Sequence, residues 1–444
     1  MQWEQDLLEP QSLAELCDIV KESSFVRVVG RGHSFVPVCK ARAAPRSAAI
    51  SLNKMNRVLD IDSEAMTVTC EGGITYRRLY EVLDAAPESV ALANVQSHPG
   101  VTVAGTLSTG THGSAGIDPE TGRATLGAQS SLCRSVLMVM DDGTTKRWTR
   151  GDADWGAVVV SLGCLGVMAE VTLDLVPDHD FDMVTYTDLS CDHLIKHWRT
   201  VANQYQQIQV NGRWWGAPGS AAPPMMWVHL RQKVERGSPP KSKKDYPQTF
   251  CGQGQIAEVR RHRASELFGT SEAQMRELQF EYFVPLEHAE AAMQATREVS
   301  KDWHLPVETD PEGRPLANYT DIRIIGADDT QWLSATTTAE GGDTIAMAMG
   351  LNAYASGEVL DNALRELEAA LAPLQMRPHW GKLTRWGAHD FDEAYGDSLV
   401  EFRRVANTYD RLGKFRNAWT IQNLFSRSAP GDVYEATKKA HRLR

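Results

Sequence analysis

Along residues 11–22, QSLAELCDIVKE, the apolar positions Leu13, Leu16, Ile19 and Val20 recur at helical spacing and predict an amphipathic helix. FVRVV at 25–29 predicts a short strand that ends at Gly30. AAISL (48–52), RVLDID (57–62) and MTVTCEGG (66–73) are β-rich runs separated by polar turns. TYRRLYEVLDAA (75–86) returns to the helical period, with Thr75 placed to cap it. Between 126 and 177 strands resume with SVLMVMDDG, TKRWT and MAEVTLDLVP, where Pro177 closes the segment. Many short strands without a regular β-α-β alternation predict an α+β module, not a doubly wound sheet.

After Pro177 the texture changes. IQVNGRWWGAP, MMWVHLRQKV, LQFEYFVP, TDIRIIGA and TIAMAMGLNA predict strands, and 285–303 and 356–374 predict long helices. An antiparallel sheet with helices on one face is the expectation. ERGSPPKSKKDYPQ (235–248) is polar and proline-rich, so it is read as an exposed loop and not a basic binding patch.

Composition narrows the class. With 444 residues, two domains are expected, and 42% hydrophobic with 23% charged residues describes a globular chain. A formal net charge of −11 argues against nucleic acid or an anionic membrane as partner. The seven cysteines are scattered with no CxxC pair, so reduced buried thiols are expected, and neither disulfides nor a metal site. The acidic start MQWEQDLLEPQ lacks the character of a signal peptide, and no apolar run is long enough to span a bilayer. A cytoplasmic monomeric enzyme is expected.

Two glycine-rich stretches carry the candidate chemistry. VVGRGHSF (28–35) packs two glycines, an arginine and a histidine behind an apolar strand. HPGVTVAGTLSTGTHGSAG (98–116) interleaves glycine with small hydroxyl residues, which lets backbone N–H groups approach phosphate oxygens closely. It lacks the lysine of a P-loop and the strand–GxGxxG–helix setting of a Rossmann site. A glycine-rich bend in a sheet remains open for this stretch taken alone.

Taken in order, GRGHSF (30–35), VAGTLSTGTHGS (103–114) and SLGCLGVMAEVTLDLVP (161–177) resemble the flavin domain (PCMH-type) of the vanillyl-alcohol-oxidase type of FAD-linked oxidases. Within that group the chain resembles alditol oxidases first and aldonolactone oxidases such as gulonolactone and arabinonolactone oxidase next. PHWGK (378–382) and GKFRNAW (413–419) extend the likeness to almost the whole length.

The resemblance implies an FAD-binding domain over 1–178, a substrate domain over 179–378, and a segment 379–444 that completes the flavin site. It implies that Gly30, Arg31, Gly32, His33 and Ser34 form the turn over which FAD lies, with His33 as the covalent attachment point. A histidine that merely hydrogen-bonds in a turn is the alternative, since some relatives bind FAD without the link. Ser97, Thr102, Gly105, Thr106, Leu107, Ser108, Gly110 and Gly113 would continue around the cofactor, and Gly163, Gly166 and Val167 would approach its adenine side. His112 is expected to order the loop.

In LANYTDIRIIGA, Asp321 and Arg323 alternate with apolar residues and so share one strand face. The resemblance implies that this pair lines the pocket, although relatives carry glutamate where Asp321 stands. His379 and Lys382 fall where relatives place groups beside the flavin, and Ser97 and Gly350 join the expected substrate contacts. The implied reaction moves hydride from a C–OH carbon of a polyol, sugar or related small molecule to flavin, with O2 as acceptor. A dehydrogenase using another acceptor and a non-redox flavin-binding protein are the rivals. Two departures bear on this. Ala348 and Gly350 replace polar side chains and suggest a more open pocket, and Gln96 is bulky where oxidases carry a small residue near the flavin edge.

Overall fold

The computed structural model describes residues 7–96, 98–214, 226–266 and 277–426. The first helix spans Leu13–Glu22, and Ser12 caps it by accepting from the Glu15 N–H. Thr75 caps Tyr76–Ala85 as its position predicts, by accepting from the Arg78 N–H.

Three larger sheets, beside a two-stranded one of Val90–Ala91 and Val176–Pro177, organise these elements. Leu7–Leu8, Ser47–Ile50 and Phe25–Val28 form a small parallel sheet. Val58–Asp62, Thr67–Glu71, Val167–Asp174, Cys133–Val139 and Thr145–Thr149 form, in that order, an antiparallel sheet of five strands. The third is antiparallel with eight strands. Its order is Gln255–His262, His179–Leu189, Met226–Glu235, Gln207–Gly212, Ala317–Ile325, Thr344–Asn352, Glu277–Pro285 and Arg377–Pro378.

Strand alternation gives this large sheet two unlike faces. Val210, Ile322, Met347 and Phe280 point to one side, where they pack with Leu194, Met293 and Leu364 of the helices Cys191–Ala202, Ala289–Val299 and Gly357–Leu371. Phe283, Ala346 and Ile325 point to the other side and join the core of the five-stranded sheet, with Val136, Leu107 and Val171. Trp380, Phe391 and Phe402 from the end of the chain enter that same core. The antiparallel sheet with helices on one face is therefore as the sequence predicts.

Four of the longer elements are not predicted by the pattern: strands His179–Leu189 and Gln255–His262, and helices Cys191–Ala202 and Ala388–Tyr409. The first strand buries Asp180 and Asp182, which blurs its apolar rhythm, and the second is a charged edge. The long helix is interrupted at Gly396, where φ is 46°. The loop after Glu235 is exposed as expected, apart from Tyr246, and the Tyr186 hydroxyl donates to the Pro247 carbonyl at 2.7 Å. Cys70, Cys133, Cys164 and Cys191 are buried free thiols, but Cys251 is exposed, against expectation, because it sits at a turn with φ of 50°. No helix among the described residues is long and apolar enough to cross a membrane.

Arg27 ties the N-terminal sheet to distant segments. Its side chain is buried and donates to the carbonyls of Phe415 (2.6 Å), Leu162 (3.0 Å), Gly163 (3.1 Å) and Val38. Buried carbonyls need such donors, since an acceptor withdrawn from water without a partner is costly. Asn417 reinforces the same place by donating to Pro37, Val38 and Lys40. Arg27→Met should cost on the order of 3 kcal/mol, because it removes a donor from several buried carbonyls at once. The urea midpoint should fall, and proteolysis should reach residues 410–420 first.

Candidate active site

The loop GRGHS leaves the strand Phe25–Val28 and turns at Gly32, whose φ of 73° calls for glycine. Across from it, Thr102 caps a short helix, Val103–Ser108, by accepting from the Gly105 N–H at 3.3 Å. The second glycine-rich stretch is thus a capped helix followed by a turn, not a bend in a sheet. A Cβ at either Gly30 or Gly105 would stand 2.8 Å from the same Thr102 Oγ1, so the two loops approach as closely as glycine allows. The helix ends near Gly110, where φ is 66°, and a Cβ at Gly113 would overlap Asn94 and Val95.

The third segment closes on these two. The Leu162 N–H donates to the Ser108 carbonyl at 3.1 Å, Gly163 has φ of 66°, and Gly166 backs onto the Val139 carbonyl just before strand Val167–Asp174. Thr106 Oγ1 and Ser161 Oγ are buried here without a protein partner. Ser97 lies outside the described residues.

His33 and Arg31 are on the exposed side of their loop. The His33 ring packs against His98, with centroids 4.1 Å apart. Partial burial lowers its imidazole to about 4, helped by the positive neighbours His98, Lys382 and Arg31. Ser34 and Phe35 then meet the end of the chain, where the Phe35 N–H donates to the Gly381 carbonyl at 2.7 Å. The Lys382 ammonium sits over the Phe35 ring, 5.1 Å from its centre. The sequence-predicted Lys382 and His33 therefore share one junction.

The floor is the polar face of the eight-stranded sheet. Asp321 and Arg323 do share that face and are both buried, and Arg323 donates to both Asp321 oxygens, from Nε at 3.1 Å and from Nη2. Burial opposes the Arg323 charge, but Asp321 outweighs it and raises the pKa. Gln209, opposite Arg323 on the next strand, donates to the Asp321 carboxylate at 3.2 and 3.3 Å. On the other flank the strand Thr344–Asn352 offers only Ala346 and Ala348, opposite Arg323 and Asp321. Across that low strand Ala348 faces Glu281, and Lys382 Nζ donates to Gln279 Oε1 two positions along. Burial and Arg323 lower the Lys382 pKa, while Glu281, Glu277 and Asp321 oppose the change.

Glu281 is the site residue that sequence reasoning missed. It lies in LQFEYFVP, where Gln279 and Glu281 break an apolar strand as Asp321 and Arg323 do in theirs, and that alternation was the available signal. His112 Nε2 lies 2.9 Å from Glu281 Oε1, and His112 Nδ1 lies 2.9 Å from the Gly113 carbonyl. Burial alone would raise the Glu281 pKa, but His112 reverses the effect and holds the carboxyl well below the usual range. A carboxylate only accepts, so His112 Nε2 is the donor to Glu281. It orders its loop, as expected, and also anchors it to the sheet.

His379 differs. Its backbone N–H donates to the Glu281 carbonyl at 2.9 Å, and its Nδ1 accepts from the Gly381 N–H at 2.9 Å. Burial lowers the imidazole to about 3, with Glu281 opposing, so His379 is neutral with its proton on Nε2.

Two expectations need correction. The pocket is not opened at Gly350: a Cβ there would stand 2.9 Å from Glu277 Oε2 and press on the Tyr319 ring, which fills that space and binds Gln279 through its hydroxyl at 2.7 Å. Gln96 does not project as a bulky edge group. It is fully buried, and its Oε1 accepts from the Tyr80 hydroxyl at 2.6 Å, because an amide withdrawn from water must find a partner.

Two family models match the chain. One is described as an FAD binding domain and covers residues 5–149, and the other as D-arabinono-1,4-lactone oxidase, covering residues 240–423. Alditol oxidase of Streptomyces sp. (strain IKD472 / FERM P-14339) is 30% identical over 92% of this chain and 93% of that protein. L-gulono-1,4-lactone dehydrogenase of Mycobacterium tuberculosis is 26% identical over 91% and 92% respectively. L-gulonolactone oxidase of Mus musculus is 34% identical over 38% of this chain and 37% of its own length. The cradle and the two-domain α+β fold define an FAD-binding flavoprotein. This chain belongs to the FAD-linked oxidases that include alditol oxidase and the aldonolactone oxidases. The closely approaching glycines and the unpartnered Thr106 and Ser161 hydroxyls fit a phosphate-bearing cofactor.

The Glu281–His112 pair generates a pH prediction. The Glu281 pKa is depressed in the folded protein, so its stabilisation is complete above the unfolded value of 4.5 and is lost as pH falls through the lower folded value. Glu281→Gln should lose on the order of 3 kcal/mol at pH 7, since it removes the buried carboxylate that accepts from His112 Nε2. Urea titrations from neutral pH to well below pH 4.5 should show a steeper loss in the wild type than in Glu281→Gln.

Proposed function

We propose that the protein oxidises the C–OH carbon of a polyol, sugar or related hydroxylated small molecule, with FAD in the glycine cradle. When bound, FAD supplies the hydride acceptor, and dioxygen is the final oxidant that yields hydrogen peroxide. The observation that carries the reading is the Phe35–Gly381 bond, which joins the loop of His33 to the turn of Lys382 at the edge of the charged floor. The division into 1–178, 179–378 and 379–444 is supported by the eight-stranded sheet, whose strands all fall between 179 and 378.

In this reading the glycines of all three loops, with Thr102, Thr106, Leu107, Ser108 and Val167, hold the cofactor. Arg323 and Lys382 flank the reacting hydroxyl. Lys382 Nζ, biased toward its neutral form by burial, takes the hydroxyl proton, while Arg323 stabilises the developing negative charge on oxygen. Asp321 holds the Arg323 guanidinium in place. His379 has its only lone pair committed to Gly381, so it serves as a donor beside the site and not as the base. His33, lowered to about 4, presents a free imidazole lone pair at neutral pH, which supports covalent attachment of the flavin.

A dehydrogenase using another electron acceptor is the second reading, favoured by the likeness to a lactone dehydrogenase across 91% of the chain. Peroxide yield measured against dye reduction separates the two.

The purified protein should be yellow and should keep its flavin through trichloroacetic acid precipitation. His33→Ala should release the flavin into the supernatant and lower its reduction potential. Flavin found wholly in the supernatant of the wild type would remove the covalent link and leave FAD binding standing.

Lys382→Met and Arg323→Met should each slow flavin reduction about a hundredfold or more while leaving the bound flavin spectrum nearly unchanged. Stopped-flow bleaching with a polyol panel measures this. In the wild type the reduction rate should rise with pH and level off below 10.5, since burial depresses Lys382 from that value.

A further inference from the structure

Arg231 is a buried charge that the reaction described above does not use. It lies on the strand Met226–Glu235 and is 6% exposed. Its Nη2 donates to Gln209 Oε1 at 2.9 Å, and Gln209 in turn donates to Asp321, whose oxygens are already engaged by Arg323. Two guanidinium groups thus share one carboxylate.

Two donors at this corner meet no acceptor. Arg231 Nε is buried without a partner, and so is the amide nitrogen of Gln207, which is 1% exposed and stands directly opposite Arg231 in the register of the two strands. A buried cation and two buried N–H donors left unpaired are costly unless something supplies acceptors and a negative charge. Burial and the nearby Arg323 lower Arg231 only to about 10, so it remains a cation at neutral pH.

We propose that Arg231 and Gln207 form a subsite for a carboxylate of the substrate, which makes the substrate a hydroxylated acid of the aldonate type. This rests on the reading that Arg323 and Lys382 flank the reacting hydroxyl. The planar guanidinium edge matches the two oxygens of a carboxylate. Arg231 and Arg323 lie two strands apart in the sheet, about 10 Å between strand axes, and Gln209 on the intervening strand links Arg231 to the Asp321 that holds Arg323. That separation suits a chain of a few carbons with its acid at one end and its reacting hydroxyl at the other.

The test uses the flavin-loaded enzyme and compares aldonates with their matching alditols, gluconate against glucitol first, by stopped-flow flavin reduction. Gluconate should show an apparent Kd at least about tenfold lower than glucitol. Arg231→Met should erase that ratio, Arg231→Lys should keep part of it, and Gln207→Leu, which leaves the cation in place, should reduce it by a smaller factor. Equal affinity for acid and alditol in the wild type would overturn the proposal. So would an equal loss on both substrates in Arg231→Met, which would make Arg231 a support for Asp321 through Gln209. If neither substrate bleaches the flavin, the oxidation reading fails separately, and the subsite is then judged by binding. A rise in melting temperature with gluconate but not glucitol, absent in Arg231→Met, sustains it, and no such rise ends it.

Discussion

Asp321 and Arg323 lie near the middle of a sheet face that a second core closes over, and charge in that position persists only when every partner is in place. A lone buried ion is expelled or neutralised, whereas a bidentate pair braced by Gln209 is held. The low strand beside it makes this possible. Ala346 and Ala348 leave room for Arg323 and Asp321 from one side and Glu281 from the other, so two charged rows meet over one methyl-sized gap. Larger side chains on that strand would separate them.

The same demand for partners joins the layers. Glu281 on the large sheet holds His112 on the glycine-rich loop, and Arg263 at the end of the strand Gln255–His262 holds Asp84 on the helix Tyr76–Ala85 and Asp178 at the domain crossing. Asp343 accepts from the Arg123 side chain and from the backbone of Ala124 and Ala327. These buried or half-buried contacts are directional, so they fix how the cradle sits on the floor, which apolar packing alone would leave less sharply set.

Much was legible in the sequence because it is local. Helices at 13–22 and 357–371, the Thr75 cap of the helix at 76–85, and the alternating strands each follow from side-chain period and capping chemistry within a few residues. The glycine spacing in GRGHS and VAGTLSTGTHG likewise announced close backbone approach. Asp321 and Arg323 could be placed on one face by counting.

The rest was decided by partners far away in the chain. Gln96 turns into the core because Tyr80 waits there, and Gly350 is covered because Tyr319 leans across from the next strand. Glu281 looked like one polar residue in an apolar strand, and its weight comes from His112, 169 positions away. Residue type and period set what each segment can form, since those depend on nearest neighbours. Protonation, pairing and the shape of the site depend on which distant groups share a low-dielectric space, and only the tertiary structure brings them together.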